Sequence, residues 1–309
     1  MKARATAPGK VILTGEHFVV HGAWALAAAI ERRSTAVASE SDRLQVVSGI
    51  ERTEGRRALV PAARVVEAMA RELSFRPEVK VRISSDIPGG AGLGSSASTS
   101  VAVAAAVARL KSVRLTPAEL ARFAMEGERE VHGNPSGVDA AVCARGGVML
   151  FRPGSRPRML KLRGPRRLLV AFSGARRNTG RLVSHVADVK DRLPSLFRGL
   201  AESAGELSQL AAERLASGDM EALGPVLTLN HAALAEVGVS TPELDSLVDL
   251  LISLGCHGAK LTGAGGGGSV VGVSPRGKEK RITSELTGRG FEAFVCMLPA
   301  EGVKSWLEP

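Results

Sequence analysis

Three stretches in the first half of the chain combine β-branched residues with alternating apolar positions, which predicts β-strands. They are residues 10–13, 34–38 and 79–83. Two other stretches follow a helical pattern. Residues 61–73 repeat apolar side chains every three or four positions, the spacing of a helix that faces a core. Thr116 and Glu119 form a capping box around a proline, so we expect a helix from there toward Glu130.

A basic, proline-containing segment at residues 152–167 separates these patterns from a second set. The second set begins with a strand at residues 168–172 and continues with helical patterns over about residues 179–237. A further helix is expected at Pro242, behind the cap residue Thr241. Strand, helix and strand patterns then follow at residues 268–273, 278–286 and 291–296.

The length of the chain favours two domains, because 309 residues exceed the usual size of one hydrophobic core. We place the domains at residues 1–160 and 161–309, and we expect a ligand in the cleft between them. Residues 49–57 are polar and show no periodicity, which predicts a mobile loop able to serve as a lid.

The composition is globular, with 44% hydrophobic and 23% charged residues. The longest apolar runs, at residues 23–30 and 101–108, are far shorter than the roughly 18 residues that indicate a membrane-spanning helix. Gly15, Glu16 and His17 interrupt the apolar stretch behind the basic N-terminus, so we expect no export signal and a cytoplasmic protein. The three cysteines lack paired spacing and are predicted to be buried free thiols: Cys143, Cys256 and Cys296.

The formal net charge of +10 is compatible with nucleic-acid binding, with attraction of anionic metabolites, or with solubility alone. The densest basic stretches, at residues 152–167 and 176–181, are short. Aromatic residues make up only 3% of the chain and tyrosine is absent, so few side chains can stack on bases. The charge therefore favours small phosphorylated or carboxylated ligands.

Residues 88–96 form a glycine-rich loop between a strand pattern and an Ala- and Val-rich helical stretch at residues 97–111. In that order, unhindered backbone N–H groups and the positive end of a helix face the same space, which is how proteins bind phosphate. Ser95 and Ser96 lie where a hydroxyl group is able to ligate Mg2+. A tight turn with serine caps is the structural alternative. The loop lacks the lysine of a Walker A motif.

A second glycine cluster lies at residues 263–268 and matches G-x-G-x-x-G. As a dinucleotide-binding fingerprint it is weak, because no acidic residue is placed for a ribose. The alternative is a close backbone approach, either to a ligand or to the first glycine loop, since such an approach requires residues without Cβ.

Polar residues of two other segments also suggest a site. The first segment contains Lys10, Glu16, His17 and His21; the second contains Glu126, Glu128, Glu130, His132 and Asp139. Each residue alone is typical of a solvated surface or of a structural histidine. Their occurrence together with two glycine loops favours a binding or catalytic site.

Three segments resemble the motifs of the GHMP kinases, the superfamily named for galactokinase, homoserine kinase, mevalonate kinase and phosphomevalonate kinase. These segments are residues 7–17, 88–97 and 260–268, in the family order. Residues 15–22, 126–129 and 132–139 look specifically like the mevalonate kinases, in their shorter prokaryotic form. Ser269 stands where that family typically has Cys, a thiol that is not catalytic in the family mechanism.

The resemblance implies an α+β fold of two lobes, with ATP between them. The N-terminal lobe would resemble the second domain of ribosomal protein S5, and the C-terminal lobe a ferredoxin-like layer. It also implies phosphorylation of mevalonate by ATP with Mg2+ as the cofactor. Neither a nucleic acid nor a membrane is expected as a partner, and a homodimer stays open.

The resemblance assigns a role to each candidate residue. Asp139 is the catalytic base or orienting acceptor, and Lys10 pairs with it. Ser96 and Glu128 bind Mg2+. The loop that holds the ATP phosphates consists of Gly90, Ala91, Gly92, Leu93, Gly94, Ser95 and Ser96. The acceptor side consists of Glu16, His17, Thr179 and Gly265, although a helix N-cap is an equal alternative for Thr179.

A non-catalytic relative is one alternative, against which the intact set of polar residues counts. Two further alternatives stay open at this point. One is another GHMP kinase, acting on phosphomevalonate or homoserine; the presence of Lys10 and Asp139 counts against homoserine kinases, which lack the catalytic aspartate. The other is a basic nucleic-acid-binding protein, whose binding would have to survive physiological salt.

Overall fold

The computed structural model describes residues 1–49, 52–132, 135–175 and 179–308, with backbone alone for 52–58, 131–132 and 179–181. Within these ranges the chain forms two sheets flanked by helices. The elements of the first half are β1 (Lys2–Thr14), a 3-10 helix (Phe18–His21), β2 (Ala25–Glu40), β3 (Gln45–Ser48), α1 (Arg52–Glu72), β4 (Val79–Ser85), α2 (Ser95–Leu110), α3 (Pro117–His132), α4 (Val138–Arg145), β5 (Val148–Phe151) and β6 (Arg158–Leu160).

The second half contains β7 (Arg166–Phe172), α5 (Thr179–Arg192), α6 (Pro194–Ser217), α7 (Met220–Glu236), α8 (Pro242–Ser253), β8 (Gly258–Thr262), β9 (Ser269–Val273), α9 (Glu279–Gly288), β10 (Glu292–Leu298) and β11 (Lys304–Glu308). This mixture of helices and mainly antiparallel strands is the predicted α+β class.

The first sheet has seven strands among the described residues, in the order β11-β1-β2-β4-β3, with β5 against β2 and β6 against β5. Its strand pairs are antiparallel except for the parallel pair β3–β4. Helix α2 packs on β1 and β2, and α1, α3 and α4 cover α2. The small side chains of α2 permit this burial, since nearly all of its residues are buried.

The second sheet has four antiparallel strands in the described chain, in the order β10-β7-β9-β8. Helices α7 and α8 pack on β8, and α9 packs on β10. One hydrophobic cluster joins the two sheets: Val11 and Leu13 of β1 pack with Val170 of β7, Leu227 of α7 and Val271 of β9. Because this core is continuous, the C-terminal half of β1 is held directly against the second sheet.

The last strand of the chain returns to the first sheet. Lys2 of β1 pairs with Glu308 of β11, and four further pairs follow in antiparallel register. Residues from both ends of the chain therefore lie in the same sheet. The predicted division at residues 160 and 161 stays a prediction.

Several local predictions are confirmed. Glu119 Oε2 accepts from the Thr116 backbone N–H at 2.7 Å, and the Glu119 N–H donates to Thr116 Oγ1 at 3.3 Å, which is the expected capping box. The Thr241 side chain accepts from Leu244 N at the start of α8. The three cysteines are free and buried. Among the described residues, no helix has both the length and the apolar character needed to cross a bilayer.

The loop predicted at residues 49–57 is wrong over most of its length, because α1 begins at Arg52. Arginine and glutamate in this stretch have good helix propensity, but they provide no apolar stripe from which a helix can be recognised. Ile50 and Glu51 lie outside the described residues.

Candidate active site

A lysine and an aspartate form the centre of the site. Lys10 lies in β1, and its Nζ is 3.0 Å from Asp139 Oδ2. The Lys10 side chain is 3% exposed and that of Asp139 is 27% exposed. Asp139 also lies in the first turn of α4, where the helix end carries partial positive charge. The side chain of Asp139 thus lies beside a buried cation and remains accessible to a ligand.

The first glycine loop lies directly against Lys10. The Lys10 backbone N–H donates to Leu93 O at 2.9 Å. At Gly94, which has a φ of 74°, an added Cβ would lie 2.7 Å from Lys10 Cγ, so only glycine fits here. Helix α2 begins at the next residue without a side-chain cap. Its first N–H groups are therefore suited to bind an anion beside the Lys10–Asp139 pair.

The second glycine cluster packs against the first loop. A Cβ on Gly268 would lie 3.2 Å from Ala91 O and 3.4 Å from Gly90 O. Of the two interpretations of this cluster, a close backbone approach to the first loop is confirmed. Residues separated by more than 170 positions thus form a continuous glycine-lined wall.

Glu128 of α3 is buried on the other side of this centre, with 3% of its surface exposed. Burial, and then the negative charge of Asp139, raise the pKa of Glu128 to about 7. The nearby Ser96 side chain and the positive charge of Lys10 oppose this increase. The carboxylate form of Glu128 is therefore costly in the protein alone, and a cation beside Ser96 and Glu128 would stabilise it.

The donor set of Ser96 and Glu128 fits Mg2+. Both supply oxygen, which this hard cation prefers, and Mg2+ usually binds to one or two protein groups while keeping waters and substrate phosphates. The described residues contain no cluster of three or more His, Cys, Asp or Glu placed for a metal. A set of two protein oxygen ligands suits an ion that binds together with phosphate.

Glu128 gives the protein a measurable pH dependence. Its folded-state pKa of about 7 lies above the ordinary 4.5, so the folded protein binds more protons between these values than the unfolded chain does. The free energy of unfolding should therefore decrease as pH rises through that window, by about 3 kcal/mol in total. In Glu128→Gln this contribution should be absent. Urea unfolding of the wild type and of Glu128→Gln without metal, at pH 5 and pH 8, measures this contribution. The same change in unfolding free energy with pH in both proteins would contradict the prediction.

A second buried pair joins the two halves of the chain. Glu16 follows β1 and is 1% exposed, while Lys260 of β8 is fully buried. Lys260 Nζ donates to Glu16 Oε1 and to Leu261 O. Burial raises the pKa of Glu16, an effect that the positive charges of Lys260 and Lys10 counteract. Burial likewise lowers the pKa of Lys260, and Glu16 counteracts this shift.

His17 connects the first motif to the third. Its backbone adopts a φ of 59°, and its Nε2 donates to Ala264 O at 2.9 Å. A carbonyl oxygen can only accept, so Nε2 carries the proton. The ring thereby holds the Glu16–His17 turn against the third motif.

A cavity of about 120 Å3 lies where these groups meet. Its lining brings together most of the residues that the sequence predicted for catalysis and acceptor binding, namely Lys10, Glu16, His17 and Asp139, together with the predicted metal ligand Glu128. Apolar lining comes from Ile12, Val19, Val20, Met125, Val138 and Val183. The cavity combines a cation, carboxylates and apolar walls, which suits a small ligand with both hydroxyl and hydrocarbon parts.

Other predicted residues lie elsewhere or cannot be placed. Gly263 and Ala264 line the cavity, whereas a Cβ on Gly265 would collide with Val239 O at 2.0 Å. The Thr179 side chain is outside the described part of the chain, although its backbone begins α5. The side chain of His132 is outside it too, as are Gly133, Asn134, Arg177 and Asn178.

Lys260 received no role from the sequence, although it belongs to the third motif. The sequence contains a signal, because Lys260 is the one charged residue of this strand. The structure shows all five strand residues to be buried. Lysine is almost never fully buried unless it is paired. That pattern predicts a buried partner, although not which one.

Most of the chain matches proteins of one known family. Residues 61–147 match the model of the GHMP kinase N-terminal domain, and residues 211–292 match that of the GHMP kinase C-terminal domain. The mevalonate kinase of Aeropyrum pernix is 36% identical over 98% of both chains. That of Methanothermobacter thermautotrophicus is 34% identical over 98% of this chain and 100% of its own.

The crystal structure of L. major mevalonate kinase in complex with R-mevalonate has the same fold. It superposes with a TM-score of 0.84 and 28% identity over 96% of each chain. With two matched domain models and near-complete alignment to relatives above 30% identity, the chain belongs to the GHMP kinases and, within them, to the mevalonate kinase family.

Proposed function

We propose that this protein transfers the γ-phosphoryl group of ATP to the 5-hydroxyl of mevalonate, giving 5-phosphomevalonate and ADP. The observation that carries the proposal is the Lys10–Asp139 pair, which lies between the glycine loop and the cavity lined by Glu16 and His17. This arrangement supports Asp139 as the proton acceptor and Lys10 as the cation between the expected positions of the two substrates.

In the proposed reaction the substrate hydroxyl oxygen forms a bond to the γ-phosphorus as the bond from that phosphorus to the β,γ-bridging oxygen breaks. Asp139 accepts the hydroxyl proton, and ADP leaves with the electrons of the broken bond. Lys10 stabilises the charge on the reacting oxygens. Phosphoryl transfer depends mainly on such positioning and charge stabilisation. The loop from Gly90 to Ser96 would hold the phosphates through its backbone N–H groups.

Ser96 and Glu128 would hold Mg2+, which neutralises phosphate charge when it is bound. Their adjacent, oxygen-bearing side chains support this assignment. Glu16 and His17 would contact the acceptor from the cavity wall. The roles of Thr179 and Gly265 in acceptor binding stay predictions from the family resemblance. Thr179 begins α5, and Gly265 belongs to the third motif.

Loss of either metal ligand should weaken the use of Mg2+. Ser96→Ala and Glu128→Gln each remove one oxygen from a cation that prefers six, and water replaces it less well. We expect the Mg2+ concentration for half-maximal activity to rise about 10-fold, equivalent to about 1.4 kcal/mol of binding. Titration of activity with Mg2+ at saturating ATP measures this. Ser208→Ala is the matched control, because Ser208 is buried in α6 and does not line the cavity. Unchanged Mg2+ dependence in both Ser96→Ala and Glu128→Gln would place the metal elsewhere.

His17→Asn should raise the KM for mevalonate more than the KM for ATP. Asparagine tolerates the positive φ at this position, so the change tests the ring rather than the backbone. If the His17 ring hydrogen-bonds to mevalonate, its removal leaves a polar group of the substrate without a partner. We therefore expect the KM for mevalonate to increase about 10-fold or more. Both Michaelis constants and a melting curve are measured. An unchanged mevalonate KM in a stably folded variant would remove His17 from the acceptor site.

The proposal is tested by coupled ADP release with mevalonate, phosphomevalonate, homoserine and galactose. We expect the highest kcat/KM with mevalonate. A preference for phosphomevalonate or homoserine would assign the protein to another activity of the superfamily. Salt-resistant binding of DNA or RNA would favour the nucleic-acid alternative.

We also propose that the enzyme acts in the cytoplasm without a nucleic-acid or membrane partner. Buried free thiols support a reducing compartment. A homodimer stays a prediction that sedimentation analysis can test.

A further inference from the structure

The Glu16–Lys260 pair uses only part of the hydrogen-bonding capacity of Glu16. Lys260 binds Oε1, while Oε2 is buried and has no hydrogen-bond partner among the described residues. A buried carboxylate oxygen is costly when no donor approaches it. Glu16 also lines the cavity beside Lys10 and Asp139. A donor supplied by a ligand in this cavity would satisfy the remaining oxygen.

The position of Lys260 is fixed by its neighbours on β8. The Leu261 N–H donates to His231 Nδ1 at 3.3 Å, and His231 Nε2 lies 3.1 Å from Asp245 Oδ1. Thr262 Oγ1 accepts from Ile12 N at 3.1 Å and donates to Ile12 O at 3.0 Å. Since β8 is anchored on both sides of Lys260, the ammonium group can define the orientation of Glu16.

A purely structural role explains this pair poorly. Two buried charges lose their hydration, and a buried ion pair is often no more stabilising than an apolar pair of the same volume. The Thr262–Ile12 contacts already join the same two strands without a charge. The main effect of the pair is therefore to fix a carboxylate next to the Lys10–Asp139 centre. Its contribution to holding β1 against β8 is secondary.

We infer that Lys260 is a positioning residue: it holds Oε1 of Glu16, so that Oε2 accepts a hydrogen bond from a hydroxyl group of the alcohol substrate. The inference rests on the proposed function and adds a specificity element to it. A carboxylate oxygen accepts from an uncharged hydroxyl but repels carboxylate and phosphate. Glu16 therefore selects the alcohol end of the substrate and directs its acid end elsewhere.

The test compares Lys260→Met, Glu16→Gln and the double variant with the wild-type protein. Mevalonate binding is measured by calorimetry, and KM and kcat are measured by ADP release. In Lys260→Met we expect the Kd and KM for mevalonate to rise about 10-fold, the loss of one hydrogen bond to a charged group. The KM for ATP should change less than about 2-fold, which is the variation expected when a mutated residue is not coupled to the binding site.

The double variant tests whether Lys260 acts through Glu16. Because it contains no unpaired buried charge, it should fold even if Lys260→Met does not. Its mevalonate Kd should be no weaker than that of Glu16→Gln, since the lysine has no role without its partner. Ile282→Val is the structural control: it removes a buried methylene group on α9, away from the cavity, so it should lower the melting temperature and leave both Michaelis constants nearly unchanged.

Each outcome separates this inference from the proposed function. A folded Lys260→Met variant that binds mevalonate like the wild type would overturn the inference, as would additive losses in the double variant. If the wild type binds mevalonate without phosphorylating it, the proposed function fails while the binding comparison still decides the role of Lys260. A wild type that does not bind mevalonate would contradict both.

Discussion

Asp139→Asn should lower kcat by at least about 100-fold, the usual effect of losing a positioned general base. The amide keeps the size of the carboxylate but cannot accept the hydroxyl proton. It also ends the ion pair with Lys10, which is 3.0 Å away. Because Asp139 is partly exposed, the fold should tolerate the change, and the KM for ATP should stay close to that of the wild type.

Steady-state kinetics, a melting curve and nucleotide binding together measure this effect. Asp249→Asn is a matched control, since Asp249 is an exposed acid on α8 and should leave kcat unchanged. Wild-type turnover in a folded Asp139→Asn variant would exclude the base assignment.

Lys10→Met should also lower kcat by about 100-fold or more, within the range for groups that stabilise developing charge in a protected site. The change removes a buried cation that lies close to Asp139 and also acts electrostatically on Glu16 and Glu128. Unlike Asp139→Asn, it should reduce stability as well, because buried carboxylates lose a counter-charge.

Lys111→Met provides the control for lysine removal. Lys111 pairs with Glu40 at the surface, so its loss should affect neither kcat nor the cavity. The kcat of the double variant Lys10→Met/Asp139→Asn should be little lower than that of the less active single variant, because the two residues act as a unit. Independent, multiplicative losses in kcat would contradict a shared role.

The sequence predicted those features that depend on neighbouring residues. The Thr116 capping box and the Thr241 cap are formed by groups three positions apart, so their chemistry is visible locally. The glycine loop at residues 88–96 has the same property, since its strand, turn and helix are consecutive. The family motifs then connected these local signals to a phosphate-binding lobe.

Long-range features could not be predicted in this way. The Glu16–Lys260 pair joins residues 244 positions apart, and the pairing of β11 with β1 joins the two ends of the chain. Each depends on tertiary packing, which no local pattern encodes. The start of α1 was missed for another reason, because its first turns are charged and present no apolar stripe.

The most direct test of the account is the identity of the product made from mevalonate and ATP, determined by proton-coupled phosphorus NMR. Transfer to the 5-hydroxyl places the phosphate next to a CH2 group, so the account predicts a triplet together with one ADP per product. Transfer to the tertiary hydroxyl or to the carboxylate leaves no proton on the attached carbon, and the signal would be unsplit. A triplet that is lost in Asp139→Asn would support the account; an unsplit signal, or no phosphorylated product, would contradict it.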